Sequence, residues 1–343
     1  MTDLVVGGGA VGTLIAWALA TGGRDVAIVR RAKIDGPSQA EVALADPAGG
    51  RRGAAVTEVA RPSDLSAAPE LIVFAVKMFD LAAAAASCTA WPSAAGLTVS
   101  NGVGAEEIVS EVRPSAGLVA GSVTASVELV GEGTVSRLNR GGIGLAPVSG
   151  DVDRLIGDLL VAFAAAGLPN GRVDDARSMK WSKLLANLVG NATSAIVDRP
   201  PAELYGDPGI FRIERRQLLE ALAAMRRLGL SPVALPGADV RLLAAGIRLP
   251  PFLVQPILRR VVVGARGGKD PSLRLHATSG SGPSEVDWLN GAVADAAEKL
   301  GGAAPVNRRL TTVLHEVLDD PARREWFSGR PDRLVEAVEA QAR

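Results

Sequence analysis

The chain has 343 residues, 48% of them hydrophobic and only 3% aromatic, with 37 basic and 37 acidic side chains balancing to a formal charge of +0. That length favours two domains with ample core, and the balanced charge excludes an electrostatic grip on nucleic acid or on an anionic membrane surface. A single cysteine, Cys88, and two histidines, His276 and His315, leave no internal disulfide and no Cys- or His-rich metal centre. MTDLVV lacks the basic start of a signal peptide and no run approaches ~18 apolar residues, so a cytoplasmic protein with no membrane span is expected.

Leu4 to Arg31 reads as strand, tight turn, helix, strand. Leu4 to Val6 is a short apolar strand, and Gly7, Gly9 and Gly12 follow in G-x-G-x-x-G spacing. Gly7 permits the sharp turn, Gly9 lets a pyrophosphate approach the backbone, and Gly12 lets the helix lie close to the sheet. The free N–H groups at the helix start, Ala10 and Val11 among them, then face the phosphates at the positive end of the helix dipole. Gly22 and Gly23 end the helix, and Val26 to Val29 supply the second strand. An NAD-binding unit places Asp or Glu about 20 residues past the glycines to accept from the ribose 2′-hydroxyl. Here Arg30 and Arg31 stand at that strand end, followed by Lys33. Guanidinium groups bind a 2′-phosphate through charge-assisted hydrogen bonds, so the cofactor reading is NADPH. A merely solvated loop is the alternative, weakened by the missing acid.

Val42 to Ala45 and Ala54 to Thr57 are short strand candidates. Leu71 to Val76 is a near-continuous apolar strand ending in Lys77, and Asp80 to Cys88 is an alanine-rich helix. Leu97 to Val99 is a strand ending in Ser100-Asn101-Gly102, and Ala105 to Val112 is a helix with Glu106 and Glu107 in its first turn. This alternation argues a doubly wound α/β domain. Val119 to Leu129 and Thr134 to Leu145 are β-prone runs separated by Gly131 and Gly133, which suggests an antiparallel addition to the sheet. Asp151 to Ala166 is a helix, and past Asp174 the pattern is helical nearly to the end. The domain boundary is expected near Val173, giving residues 1–172 and 173–343.

Lys77 and Asn101 each follow an apolar strand, where open α/β sheets bind their ligands. In Met179 to Val197, Lys183, Asn187 and Ser194 fall on one stripe at about 100° per residue, with Asn191 at its edge and apolar residues around them. Polar groups on a buried helix need partners, so the stripe is expected to line a polar cavity. Further on, Ser284 can cap a helix whose first turn holds Glu285. Glu285 either complements the helix dipole or reaches into that cavity to pair with Lys183, and the sequence leaves these two readings even.

On these residues the chain resembles the ketopantoate reductase (2-dehydropantoate 2-reductase) family. The matching pieces are GGGAVG at Gly7 to Gly12, VKMFDL at Val76 to Leu81, SNGVG at Ser100 to Gly104, KWSKLLANLVGNATSAI at Lys180 to Ile196, and SEVDWLNGAV at Ser284 to Val293. The resemblance implies an α/β fold: an N-terminal Rossmann-type dinucleotide-binding domain with an all-helical C-terminal domain of the 6-phosphogluconate dehydrogenase C-terminal type, and an active site in the cleft between them. It implies NADPH-dependent reduction of ketopantoate to (R)-pantoate, a step toward pantothenate and coenzyme A. Carried over, the general acid falls on Lys183, the catalytic glutamate on Glu285, the substrate-binding residues on Asn101, Asn187, Asn191 and Ser272, and the crevice lysine on Lys77. No metal is involved. An ammonium near the growing alkoxide would stabilise it and deliver the proton, and a nearby carboxylate would hold that ammonium charged despite burial.

The chain departs from the family at Leu273-Arg274-Leu275-His276, where a Met-Leu-Gln-Asp-like run is usual, and has Ala192-Thr193 in place of Pro-Leu. It also runs past the usual end, and Leu334 to Ala342 reads as an extra amphipathic helix, either docked on the core or making a homodimer contact. The rival readings are a reductase of another 2-oxo acid on the same scaffold and an NADP-binding protein without turnover.

Overall fold

The computed structural model describes residues 2–30, 36–45, 50–256, 258, 270–279 and 282–340. The chain divides into two compact units, Met1–Lys180 with Leu235–Ala238, and Trp181–Ala234 with Asp239–Arg343.

The first unit is built on a mixed sheet whose strands are β1 (Thr2–Val6), β2 (Asp25–Val29), β3 (Ser38–Ala45), β4 (Arg51–Val59), β5 (Leu71–Phe74), β6 (Ala95–Thr98), β7 (Leu118–Val123), β8 (Val127–Gly131), β9 (Thr134–Arg137), β10 (Ile143–Ser149) and β11 (Asn170–Arg172). Their order across the sheet is β11-β10-β7-β6-β5-β1-β2-β4-β3-β9-β8. The central strands β4, β2, β1, β5, β6 and β7 run parallel to one another. Counted along the chain they stand in the order 3-2-1-4-5-6 of a dinucleotide-binding sheet. The order reverses between β1 and β5, and the glycine turn follows β1 at that point. The innermost strands, β1, β5 and β6, are short and largely apolar because both faces are covered. Leu4, Val5, Ile72, Val73 and Leu97 are all fully buried.

The helix after the glycine turn, α1 (Ala10–Thr21), is apolar on nearly every side, with Gly12 to Leu19 buried. The sheet covers one side, and the β8–β9 hairpin and helix α4 (Asp153–Ala165) also pack on α1. Helices α2 (Leu81–Ala86) and α3 (Ala105–Val112) complete the crossovers.

The two β-prone runs each resolve into two strands. The break in the second run is the Asn139 to Gly142 turn, where the Asn139 Oδ1 accepts from the amides of Ser126 and Gly141 at 2.8 and 3.0 Å. A Cβ at Gly142 would sit 1.7 Å from the Pro169 carbonyl oxygen, so the turn demands glycine there. The antiparallel additions therefore lie at both sides of the parallel core, with β8–β9 beyond β3 and β10 beside β7. A later segment, Leu235–Ala238, belongs to this unit as well, and the Pro236 carbonyl accepts from the Thr124 hydroxyl.

Helix α5 (Ala176–Leu188) is capped by Asp175, whose carboxylate accepts from the Arg177 and Ser178 amides at 3.1 Å each. The second unit continues with α6 (Ala192–Val197) and the long Pro208–Arg227 helix. Gln217 on that helix joins Asn290 and Asn307 in a buried amide network, with Asn290 Nδ2 donating to the Gln217 Oε1 at 2.8 Å and to the Asn307 Oδ1 at 2.9 Å. The C-terminal segment docks on its own unit. Leu334 and Val338 of the Pro331–Glu339 helix are buried, and Arg309 donates to the Ala337 carbonyl at 3.1 Å.

Candidate active site

In the first unit the site is built around the turn after β1. Gly7 has φ +118°, and a Cβ there would come within 2.6 Å of the Ala75 carbonyl oxygen. A Cβ at Gly12 would lie 1.8 Å from the Gly7 carbonyl oxygen, whereas one at Gly9 meets no atom within 4 Å. The first and third glycines are thus required by close packing, and the second faces open space at the start of α1. No side chain caps that start and no acid lies in its first turn, which leaves the leading amides, including those of Ala10 and Val11, for an anionic ligand. A pyrophosphate fits this cradle on steric and electrostatic grounds alike.

The end of β5 borders the turn, and that of β6 lies next beyond it on the same side. The Ala75 amide donates to the Val6 carbonyl at 2.9 Å, and Lys77, exposed, follows two residues later. The strand stops at Phe74, short of the expected Val76, because Ala75 and Val76 bend against Gly7. The Ser100 hydroxyl donates to the Val76 carbonyl at 2.8 Å, tying the segment that carries Asn101 to the one that carries Lys77. Both residues have interaction partners.

Two ion pairs in this unit, one buried and one partly buried, have no counterpart in the sequence pattern. The first is Lys180 with Glu106. Lys180 is only 3% exposed, and its Nζ donates to the Ser100 carbonyl at 2.9 Å and the Gly121 carbonyl at 3.4 Å while standing 3.2 Å from the Glu106 carboxylate. Glu106 also accepts from the Thr98 hydroxyl at 2.5 Å, so this acid is a buried counter-ion rather than a solvated first-turn glutamate. The second is Arg30 with Glu58. Arg30 stands at the end of β2 as expected, but its Nη1 pairs with the Glu58 Oε2 at 3.0 Å. Arg31 and Lys33 lie outside the described residues.

In the second unit, Leu184, Leu185 and Leu188 of α5 are buried, whereas Lys183, Ala186 and Asn187 are partly exposed. Past the first turn, where Ala176 is partly exposed and Arg177 exposed, this is a narrow accessible seam on a helix that is buried elsewhere from Ser178 to Leu188. Lys183, Asn187 and Glu285 all have interaction partners. The expected single stripe reaching to Ser194 is not formed. Gly190, at φ +60°, breaks the helix, and Ser194 lies buried on α6 with its hydroxyl donating to the Arg199 carbonyl at 2.5 Å. Asn191, at the break, is 3% exposed. Its Oδ1 accepts from the Leu273 amide at 3.0 Å and its Nδ2 lies 3.5 Å from the Ser272 Oγ. Asn191 and Ser272 are therefore neighbours.

The altered residues after Ser272 serve packing. Leu273 is buried, and Arg274 pairs with Asp198 at 3.1 Å and Asp270 at 2.6 Å. Ser284 caps the turn Glu285–Trp288, accepting from the Val286 amide at 3.2 Å, and Glu285 is 5% exposed.

Glu214, fully buried on the Pro208–Arg227 helix, holds the break itself. Its carboxylate accepts from the Gly190 amide at 2.8 Å and from the Thr193 and Tyr205 hydroxyls at 2.6 Å each. Burial pushes its pKa up, and these donors oppose the shift. Among the described residues no group of three or more His, Cys, Asp or Glu is placed to hold a metal.

The strand order and the glycine turn define the class: a Rossmann-type domain followed by a helical one. The chain belongs to the ketopantoate reductase PanE/ApbA family, whose N-terminal model matches residues 4–150 and whose C-terminal model matches residues 175–318. It is similar to a 2-dehydropantoate 2-reductase of Halobacterium salinarum, 25% identical over 327 residues, which are 92% of this chain and 98% of that protein. A solved PanE/ApbA family ketopantoate reductase from Ralstonia eutropha is 25% identical, covering 93% of this chain and 99% of its own, with a TM-score of 0.75. A D-mandelate dehydrogenase, solved with NADH and anilino(oxo)acetate, shares the fold at 19% identity over 95% of this chain and 99% of its own, TM-score 0.76. No helix among the described residues is long and apolar enough to cross a membrane.

Proposed function

We propose that this protein is a cytoplasmic NADPH-dependent reductase of a 2-oxo acid, with ketopantoate as substrate and (R)-pantoate as product. The observation that carries the reading is the seam of Lys183 and Asn187 on a helix stretch, Ser178 to Leu188, that is otherwise almost wholly buried, with Asn191 and Ser272 adjacent at its end. Family membership supports the reaction class.

The cradle of Gly7, Gly9, Ala10, Val11 and Gly12 holds the dinucleotide pyrophosphate, with Lys77 and Asn101 at the neighbouring strand ends and Arg30 at the adenosine ribose. When bound, the reduced nicotinamide supplies the hydride that the keto carbon receives. Lys183 stabilises the negative charge growing on the carbonyl oxygen and gives its Nζ proton to that oxygen. Glu285 keeps the ammonium charged. Asn101, Asn187, Asn191 and Ser272 orient the substrate's carboxylate and hydroxyl.

A second reading, another 2-oxo acid on the same scaffold, is favoured by one feature: the family's usual run after Ser272 is replaced by Leu273, Arg274 and Leu275. Initial rates with ketopantoate and with a panel of branched and aromatic 2-oxo acids, each run with NADPH and NADH, test both readings. The first reading predicts the highest kcat/KM for ketopantoate. A preference of tenfold or more for any other 2-oxo acid of the panel selects the second.

A further inference from the structure

The cofactor reading rests on the absence of an acid at the end of β2. The folded chain supplies one from elsewhere. β4 lies beside β2 in parallel register, with Val29 opposite Val59 and Ile28 opposite Glu58. The Arg30 amide donates to the Val59 carbonyl at 3.1 Å, which fixes the backbone at that corner. The Arg30 stem lies on the glycine turn, since a Cβ at Gly8 would sit 2.5 Å from its Cγ. Its guanidinium is bracketed by Glu58 on one edge and the β8–β9 hairpin on another, where a Cβ at Gly133 would come within 3.0 Å of Nη2. Both side chains of the pair are largely withdrawn from solvent, at 12% and 10% exposure. The Nη2 atom is buried and has no hydrogen-bond partner among the described residues.

We infer that Glu58 is a specificity-determining residue that tempers the preference for NADPH over NADH. A 2′-phosphate approaching Arg30 competes with a carboxylate already bonded to it and is repelled by that carboxylate's charge. A ribose 2′-hydroxyl meets no such repulsion and gains an acceptor, the role an Asp or Glu plays in NAD-binding units. The Arg30–Glu58 pair thus reads the ribose as a unit, and the acid comes from the third parallel strand instead of the second. The inference rests on the reading that a dinucleotide binds at the glycine turn.

The test is direct binding of NADPH and NADH, followed by fluorescence, to wild type, Glu58→Gln, Glu58→Ala and Glu58→Asp, with KM and kcat for both cofactors where turnover is seen. Glu58→Gln raises the NADPH-over-NADH affinity ratio roughly tenfold, the effect of one screened unit charge a few ångströms away. The change lies in Kd and KM and leaves the kcat ratio in place, and Glu58→Asp, which keeps the charge, retains the wild-type ratio. Glu58→Ala gives the same readout should the glutamine variant fail to fold. A ratio that does not move in either neutral variant overturns the inference while leaving the dinucleotide reading intact. Wild-type protein that binds neither dinucleotide overturns both.

Discussion

At the scale of single residues, the most consequential side chain that the sequence did not single out is Lys180. A buried ammonium is costly unless its donors are used, and here it has the Ser100 and Gly121 carbonyls and the Glu106 carboxylate as partners. It holds the segment leading into Asn101. Lys180→Met leaves Glu106 buried and unpaired, and denaturant unfolding is expected to show a loss of about 3–5 kcal/mol. Lys180→Met together with Glu106→Gln is expected to recover most of that loss, because both charges are then gone. A single variant as stable as wild type would remove the pair from the account. The partner carbonyl at Ser100 is 80 residues away, so no local pattern could have revealed this arrangement. Arg30 and Glu58 were hidden for the same reason, being 28 residues apart on adjacent strands.

At the scale of elements, the glycine turn was legible because every constraint on it lies within a few residues or on one neighbouring strand. Gly12→Ala sets a Cβ against the Gly7 carbonyl, and backbone cannot yield as a side chain tip can. The expected outcome is a roughly tenfold or greater weakening of NADPH binding with the sheet still folded, checked by fluorescence titration and circular dichroism. The α5–α6 segment was legible only in part. Lys183 and Asn187 share a face because one turn of helix joins them, whereas Ser194 lies beyond the Gly190 break, which no helical period can cross. The break depends on Glu214, from another helix. Burial raises its folded pKa above the ordinary 4.5, so folding favours the protonated form. Its contribution to stability is fully present below the unfolded value and is lost as pH rises through the folded one. The stability of wild type relative to Glu214→Gln is therefore expected to decline from pH 4.5 upward in urea titrations, and a difference that stays constant with pH would contradict this.

At the scale of the whole molecule, the doubly wound α/β core followed from alternating apolar strands and helices, and the helical second half from its pattern. Strands β8, β9 and β10 were legible within β-prone runs but not as separate strands, since the dividing turn depends on Asn139 bonding back to Ser126, and the edge strand β11 was not expected. The return of Leu235–Ala238 to the first unit had no sequence signal at all. The central claim is that Lys183 supplies the proton for reduction of a 2-oxo acid by a dinucleotide held at the glycine turn. The decisive measurement is single-turnover NADPH oxidation with ketopantoate by wild type and Lys183→Ala, with NADPH Kd measured on the same preparations. The account predicts a single-turnover rate constant lower by roughly 100- to 10,000-fold in the variant, with Kd within about twofold of wild type. A variant that turns over at the wild-type rate would contradict it.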